Sequence, residues 1–313
     1  MFVETRRSWL AKVALGGAAL PHIWPRTLVV TAISVAVTLA YHRVPALHYS
    51  ITSTPFVIIG LPLGIFLGFR NNTSYDRFWE GRKLWGALVN TCRSLTRQIV
   101  TLIEPQAEAE ERGADAIETH EAEMAHLLVA YVHALRHHLR ASSPFSTLER
   151  MIPAAEVEAL RKESNVPVAL LHRIAERMVE ARRKHWIHPL HVPVIEASLV
   201  ALTDIQGACE RIKNTPIPYS YTVLMHRLVA AYCGLLPFGL SETIGWATPV
   251  VVLFVSYALF GLDAIGEEVE QPFGLDPNDL PLSTMSRAIE GDVRVRLGEP
   301  RPTPFVPRDG VLP

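Results

Sequence analysis

The sequence predicts an all-α membrane protein, with four transmembrane helices per subunit joined to a helical bundle in the cytosol. Three observations carry this. Ile51–Phe69 runs nineteen residues without a charge, and as a helix it would be roughly 28 Å long, close to the thickness of a bilayer's hydrocarbon core. The 313 residues are 49% hydrophobic and 19% charged, with a mean hydropathy of +0.19. That is apolar for a soluble domain and too charged for spanning helices alone. The middle of the chain is polar yet keeps a helical period, as in Phe78, Leu84, Leu88, Leu95 and Ile99.

The N-terminus, TRRSWLAKVALGGAALPH, supports two readings. One is an amphipathic helix at the membrane surface, with Arg6, Arg7 and Lys12 near head groups. The other is a twin-arginine export signal, although Lys12 interrupts the apolar run and no clean A-x-A site follows. Pro25 is suited to opening a helix. Leu28–Tyr41, with Ile23 and Trp24, gives a first span, with Trp24 and Tyr41 at the two interfaces.

Ile51–Arg70 gives the second. It carries two rows, Gly60, Gly64 and Gly68 beside Leu61, Ile65 and Phe69. Steps of four place each row on one helical face, a smooth strip next to a bulky one. The smooth strip suits close helix packing. The bulky strip suits lipid, core or the wall of a pore. A hydrophobic ring can gate ions by dewetting, but a single helix cannot enclose one, so a pore needs several copies about an axis.

After Phe69 the spanning helix continues as an amphipathic rod. Glu104–Glu123 reads as an acidic loop, followed by helices near Glu121–Leu139, Ala154–Lys162, Val168–Trp186 and through Lys213. Thr222–Leu240 and Thr243–Leu262 give the third and fourth spans. From Asp263 onward ten acids face five arginines among many prolines, which reads as a tail wrapping a surface. The chain therefore divides into 1–70 (surface helix and two spans), 71–218 (cytosolic helices), 219–262 (two spans) and 263–313 (acidic tail). Basic residues cluster at Arg6–Arg26, Arg70–Lys83 and Arg211–Arg227, which places both termini in the cytosol of an inner-membrane protein.

Other constellations carry less. Net charge is −1, so no basic field points to nucleic acid. Cys92, Cys209 and Cys233 are far apart and read as buried thiols. His126, His133 and His137 share a helical face, and His185, His188 and His191 are three apart, but neither set completes a zinc spacing. Asp276, Asn278 and Asp279 could hold Ca²⁺ or simply cap a turn. Asp76 and Glu80, near Arg77, Arg82 and Lys83, suggest ion pairs between helices. No nucleophile elbow, phosphate loop or acid–base couple appears, so no enzyme is indicated.

Three blocks resemble the bestrophin family: GLPLGIFLGFRNN with NTSYDRFWEGRKLWG, then IPYSYTVLMHRLVAAYCGLLPFGL, then FGLDAIGEEVEQPFGLDPNDLPL. The resemblance implies a homopentameric ion channel in the membrane with one axial pore. It puts the neck at Leu61, Ile65 and Phe69, with Ile at the middle position where animal members have Phe. It puts a cytosolic aperture at Leu190, with Val194 as second choice. Asp276 and Asp279 fall where animal members have a Ca²⁺ clasp, but Leu275, Pro277 and Asn278 replace other acids there. The family's N-terminal segment helps form the clasp, which speaks against a cleaved signal. The family majority implies chloride and other small anions as the permeant ions. A cation-conducting pore and a non-conducting membrane scaffold are the alternatives.

Overall fold

The computed structural model describes residues 20–44, 52–105, 114–307 and 310–313. The surface-helix and export-signal readings of Met1–Ala19 lie outside the described residues. Among those residues the chain is helical: α1 (Leu20–Arg43), α2 (Thr54–Leu102), α3 (Ala114–Leu139), α4 (Phe145–Leu148), α5 (Ala154–Leu160), α6 (Val166–Arg183), α7 (Val192–Asn214), α8 (Tyr219–Ile244), α9 (Thr248–Glu270) and α10 (Leu282–Arg296). α1 starts before Pro25, so that proline lies inside the helix and does not open it.

The 49-residue α2 is the axis of the protomer. At 1.5 Å per residue it is roughly 73 Å long, more than twice a bilayer core. One buried stripe runs its length: Leu63, Leu67, Arg70, Ser74, Gly81, Trp85, Leu88, Cys92, Leu95 and Ile99. Successive steps of three and four keep it on one face. The upper part of this stripe packs into a core with α1, α8 and α9, built from Ile23, Val30, Val229, Cys233, Leu236, Val252 and Phe260. The lower part packs into a second core with α3, α6, α7 and α10, around Met124, Leu128, Leu135, Ile174 and Leu202.

Several hydroxyls in the upper layer bond within their own helices. Thr27 donates to the Ile23 carbonyl at 3.0 Å, Thr38 to Ser34 at 2.8 Å and Ser256 to Val252 at 2.6 Å. This is how a helix carries Ser and Thr where water is scarce.

By length and apolarity four segments can cross a membrane: 23–43, 54–102, 192–214 and 219–270. The last holds two helices, α8 and α9. A turn at Gly245–Ala247 separates them, and Gly245 has φ +53°, a conformation that favours glycine. His42 of α1 stacks on Trp246 of this turn, centroids 4.5 Å apart. The segment 192–214 is α7, and it lies in the lower core. Ile195, Leu199, Leu202 and Cys209 are buried there, Ser198 donates to Gln98 at 2.8 Å, and the Tyr131 hydroxyl donates to the Leu202 carbonyl at 3.0 Å. Its apolar residues are used in that core, so the four spans are assigned to α1, the first part of α2, α8 and α9.

The tail differs from expectation. It contains α10, whose Leu282, Ile289 and Val293 join the lower core, with Phe273 and Leu280 ahead of it. Buried Glu290 holds α10 to α3 through His133 (3.1 Å) and is flanked by Arg287 (3.2 Å) and Arg294 (3.1 Å) on its own helix.

The two layers meet at Arg77. Its guanidinium donates to the carbonyls of Ile212 (2.5 Å) and Thr215 (2.5 Å) at the end of α7, and of Glu270 (3.1 Å) at the end of α9. The Glu270 carboxylate accepts from the Ile217 amide at 2.9 Å. Helix C-termini present unpaired carbonyls and partial negative charge, and one arginine here serves two of them. Arg77→Ala is expected to lower the thermal midpoint in detergent by several degrees and to speed proteolysis at residues 214–219. Arg77→Lys should recover only part of the loss, because an ammonium cannot span the same fork.

Candidate functional site

The site is built on the face of α2 that its own chain leaves bare. Taking about 100° per residue, the row Leu61, Ile65 and Phe69 falls opposite the buried stripe of Leu63, Leu67 and Arg70. The three side chains are 71%, 51% and 61% exposed. An uncovered apolar row in a spanning segment faces lipid, another protein copy or a pore. Asn72 and Asp76 continue the same row downward, both exposed.

The glycine row behaves differently from expectation within the chain. A Cβ on Gly60 would lie 2.6 Å from the Tyr232 hydroxyl, so α2 does approach α8 there. Gly64 and Gly68 have nothing within 4 Å and are exposed. Their angle on the wheel puts them on the flank of α2, off its packed face. Other tight contacts are at Gly239, against the Phe56 ring, and Gly266, against Asn71. A single sequence does not reveal these, because each lies far along the chain from its partner.

Directly below Phe69, buried Arg70 pairs with Asp263 of α9 at 2.5 Å, and Asp263 also contacts His226 of α8 at 2.6 Å. Asn71 donates to the Leu262 carbonyl at 3.0 Å. Three helices are therefore tied at the level where the apolar row ends, which fixes the rotation of α2 about its own axis.

Leu190 stands in the link before α7, 75% exposed, and Val194 on the first turn of α7, 45% exposed. Val194 lines a groove of about 620 Å³ between α2 and α7, with Asn90, Thr91, Ser94 and Gln98. Asn90 and Ser94 fall on the wheel with Leu61, Ile65 and Phe69. The structure thus brings Val194 to the same side of α2 as the apolar row.

Asp279 is buried, and its carboxylate accepts from the Asp276 amide at 2.7 Å. Asp276 itself is exposed, and Asn278 donates to Glu268 at 3.0 Å. Burial pushes the Asp279 carboxyl up to about 6. The folded value exceeds the usual unfolded one near 4, so its protonated form is the one folding favours. The turn is expected to be tightest below about pH 4 and to loosen as pH rises to about 6. Hydrogen exchange of residues 272–282 across that range should show it, and Asp279→Asn should abolish the dependence.

Among the described residues, no three His, Cys, Asp or Glu side chains form a metal-holding group. His126 contacts Glu299 at 2.7 Å, His133 contacts Glu290, and His137 contacts Ser142 at 2.8 Å, each with its own partner. His188 and His191 rings are 5.7 Å apart, and neighbouring His185 has φ +58°. The cysteines are free and buried, and burial pushes the Cys209 thiol up to about 12. Glu80 pairs with Arg211 at 2.6 Å across α2 and α7. Arg77 goes to carbonyls instead, and Asp76 has no cationic partner among the described residues.

These features define a helical, multi-span membrane protein whose long second helix keeps an apolar row uncovered. The chain belongs to the bestrophin family: residues 1–295 match the family described as Bacterial/Fungal Bestrophin protein. It is 41% identical over 303 residues to a protein of Ralstonia nicotianae called a voltage-dependent anion channel-forming protein, covering 96% of this chain and 95% of that one. A protein of the same description from Escherichia coli is 32% identical over 294 residues, covering 94% and 93%. The crystal structure of a bacterial bestrophin homolog from Klebsiella pneumoniae superposes with a TM-score of 0.82 at 31% identity, covering 88% of this chain and 99% of that one.

Proposed function

We propose that the protein is a homopentameric channel for chloride and other small anions in the inner membrane, with both termini and the lower bundle in the cytosol. The observation that carries this is the uncovered row Leu61, Ile65 and Phe69 on the spanning part of α2, opposite its packed face. Five copies about an axis would turn the row into three stacked apolar rings, a neck that passes ions only when wetted. Gly64 and Gly68, bare in the protomer, leave room on the flank of α2 for the neighbouring copy. Leu190 and Val194 would form the lower aperture. The names of the Ralstonia and Escherichia relatives support an anion as cargo. The hydrogen bond between the Asp279 carboxylate and the Asp276 amide supports a structural turn rather than a Ca²⁺ clasp.

Planar-bilayer recording of purified protein under a chloride gradient tests this. Conductance with a reversal potential near that of chloride is expected; no conductance, with a monomeric mass in detergent, would leave the membrane scaffold as the reading. One observation favours a cation pore instead. Asp76, in line with the neck and without a cationic partner among the described residues, would place five carboxylates roughly 10 Å below Phe69. Asp76→Asn is expected to move the reversal potential further toward chloride's. An unchanged potential would show that this ring is outside the ion path.

A further inference from the structure

On the lower part of α2, α7 and α10 pack against opposite flanks. Between α2 and α10 lies a groove of about 800 Å³. Its floor is apolar, from Val100, Ile289 and Val293, and its rim carries Arg93, Arg97, Arg296 and Arg301 against a single Asp292. Arg93 (2.7 Å) and Arg301 (2.8 Å) share that carboxylate. Arg97 and Arg296 are exposed and have no carboxylate partner among the described residues. The groove therefore keeps an excess of positive charge around an apolar centre.

The far flank of the protomer has the complementary pattern. On α7, Glu196, Val200 and Asp204 recur every four residues and so share one face. All three are exposed, Val200 at 51%, and neither acid has a cationic partner among the described residues. That face is turned away from the lower core, in which Ile195, Leu199 and Leu202 are buried.

We propose that the arginine-rimmed groove between α2 and α10 receives the Glu196–Val200–Asp204 face of α7 from the next copy of the chain. The two surfaces differ and lie on opposite flanks of α2, so the contact is head-to-tail. A head-to-tail contact closes into a ring when its rotation permits. The arrangement keeps the apolar row of α2 turned to the axis while α7 and α10 meet between neighbours. Val200 would seat on the apolar floor, and Glu196 and Asp204 would neutralise the rim, an apolar centre within a polar edge. The proposal rests on the ring reading of the channel, and it adds the lower-bundle contact that closes the ring.

Reciprocal charge reversal tests it on the full-length protein in detergent. Glu196→Lys with Asp204→Lys, and separately Arg97→Glu with Arg296→Glu, should each lower the temperature at which the oligomer dissociates, followed by native mass spectrometry. All four changes together should restore it, because the pairing is rebuilt with signs exchanged. The rescue separates a lost contact from a misfolded subunit. A four-fold variant no better than the sum of its halves would overturn the proposal while leaving the pentamer intact. A wild-type chain that is monomeric throughout would overturn both this contact and the channel reading.

Discussion

Replacing Leu61, Ile65 and Phe69 together by alanine is expected to raise single-channel conductance several-fold and to leave the folding of the protomer nearly unchanged. The two halves of this expectation have one physical source. These side chains are more than half exposed in the protomer, so truncating them forfeits little packing inside the chain. In a ring, the same truncation widens three successive constrictions and shortens the stretch that water must fill, which lowers the dewetting barrier. A control separates the two faces of the helix. Leu67, fully buried on the opposite face, should cost about 2–5 kcal/mol when changed to alanine, the usual cost of such a core cavity, with no direct gain in conductance. Recording and thermal unfolding on both variants would show whether the face assignment holds. If the triple variant conducted like the wild type, the neck would not be formed by this row.

Much of this was legible in the sequence because it depends on local spacing. The uncharged run, the row at steps of four and the long periodic stretch after Arg70 each follow from the helix repeat. What was not legible depends on partners far along the chain. Asp263 lies 193 residues from Arg70, and nothing local marks it as the partner. Gly239 and Gly266 have close neighbours, Phe56 and Asn71, far along the chain, which no local spacing marks. α7 shows the limit of apolarity as a signal. It is as long and apolar as a span, yet it lies in a core built with polar contacts such as Ser198 to Gln98. In the tail, acids and prolines dominate the composition and mask the helical spacing of Leu282, Met285, Ile289 and Val293.

Asp263→Ala is expected to be the most destabilising single exchange near the site, by about 3–5 kcal/mol, the usual cost of orphaning one partner of a buried ion pair. Arg70 is 1% exposed, and its Nε and Nη2 already lack partners, so Asp263 is its only carboxylate among the described residues. Without Asp263 the Arg70 guanidinium would be a buried group left without its counter-charge, which is the origin of that cost. Removing Asp263 also frees His226 from its 2.6 Å contact, so one side chain's links to both α2 and α8 are lost together. Asp263→Asn should cost less, since an amide oxygen still accepts a hydrogen bond. The distinguishing variant is double: Arg70→Met with Asp263→Leu replaces the pair by apolar groups, and such exchanges are often neutral for stability. Thermal unfolding in detergent would then rank the double variant close to wild type and Asp263→Ala far below it. If the double variant were as unstable as the single one, the pair would be supplying more than charge neutralisation. If it were stable but conducted abnormally, the pair would be retained for setting the rotation of α2, and with it the direction in which Phe69, one residue above, points.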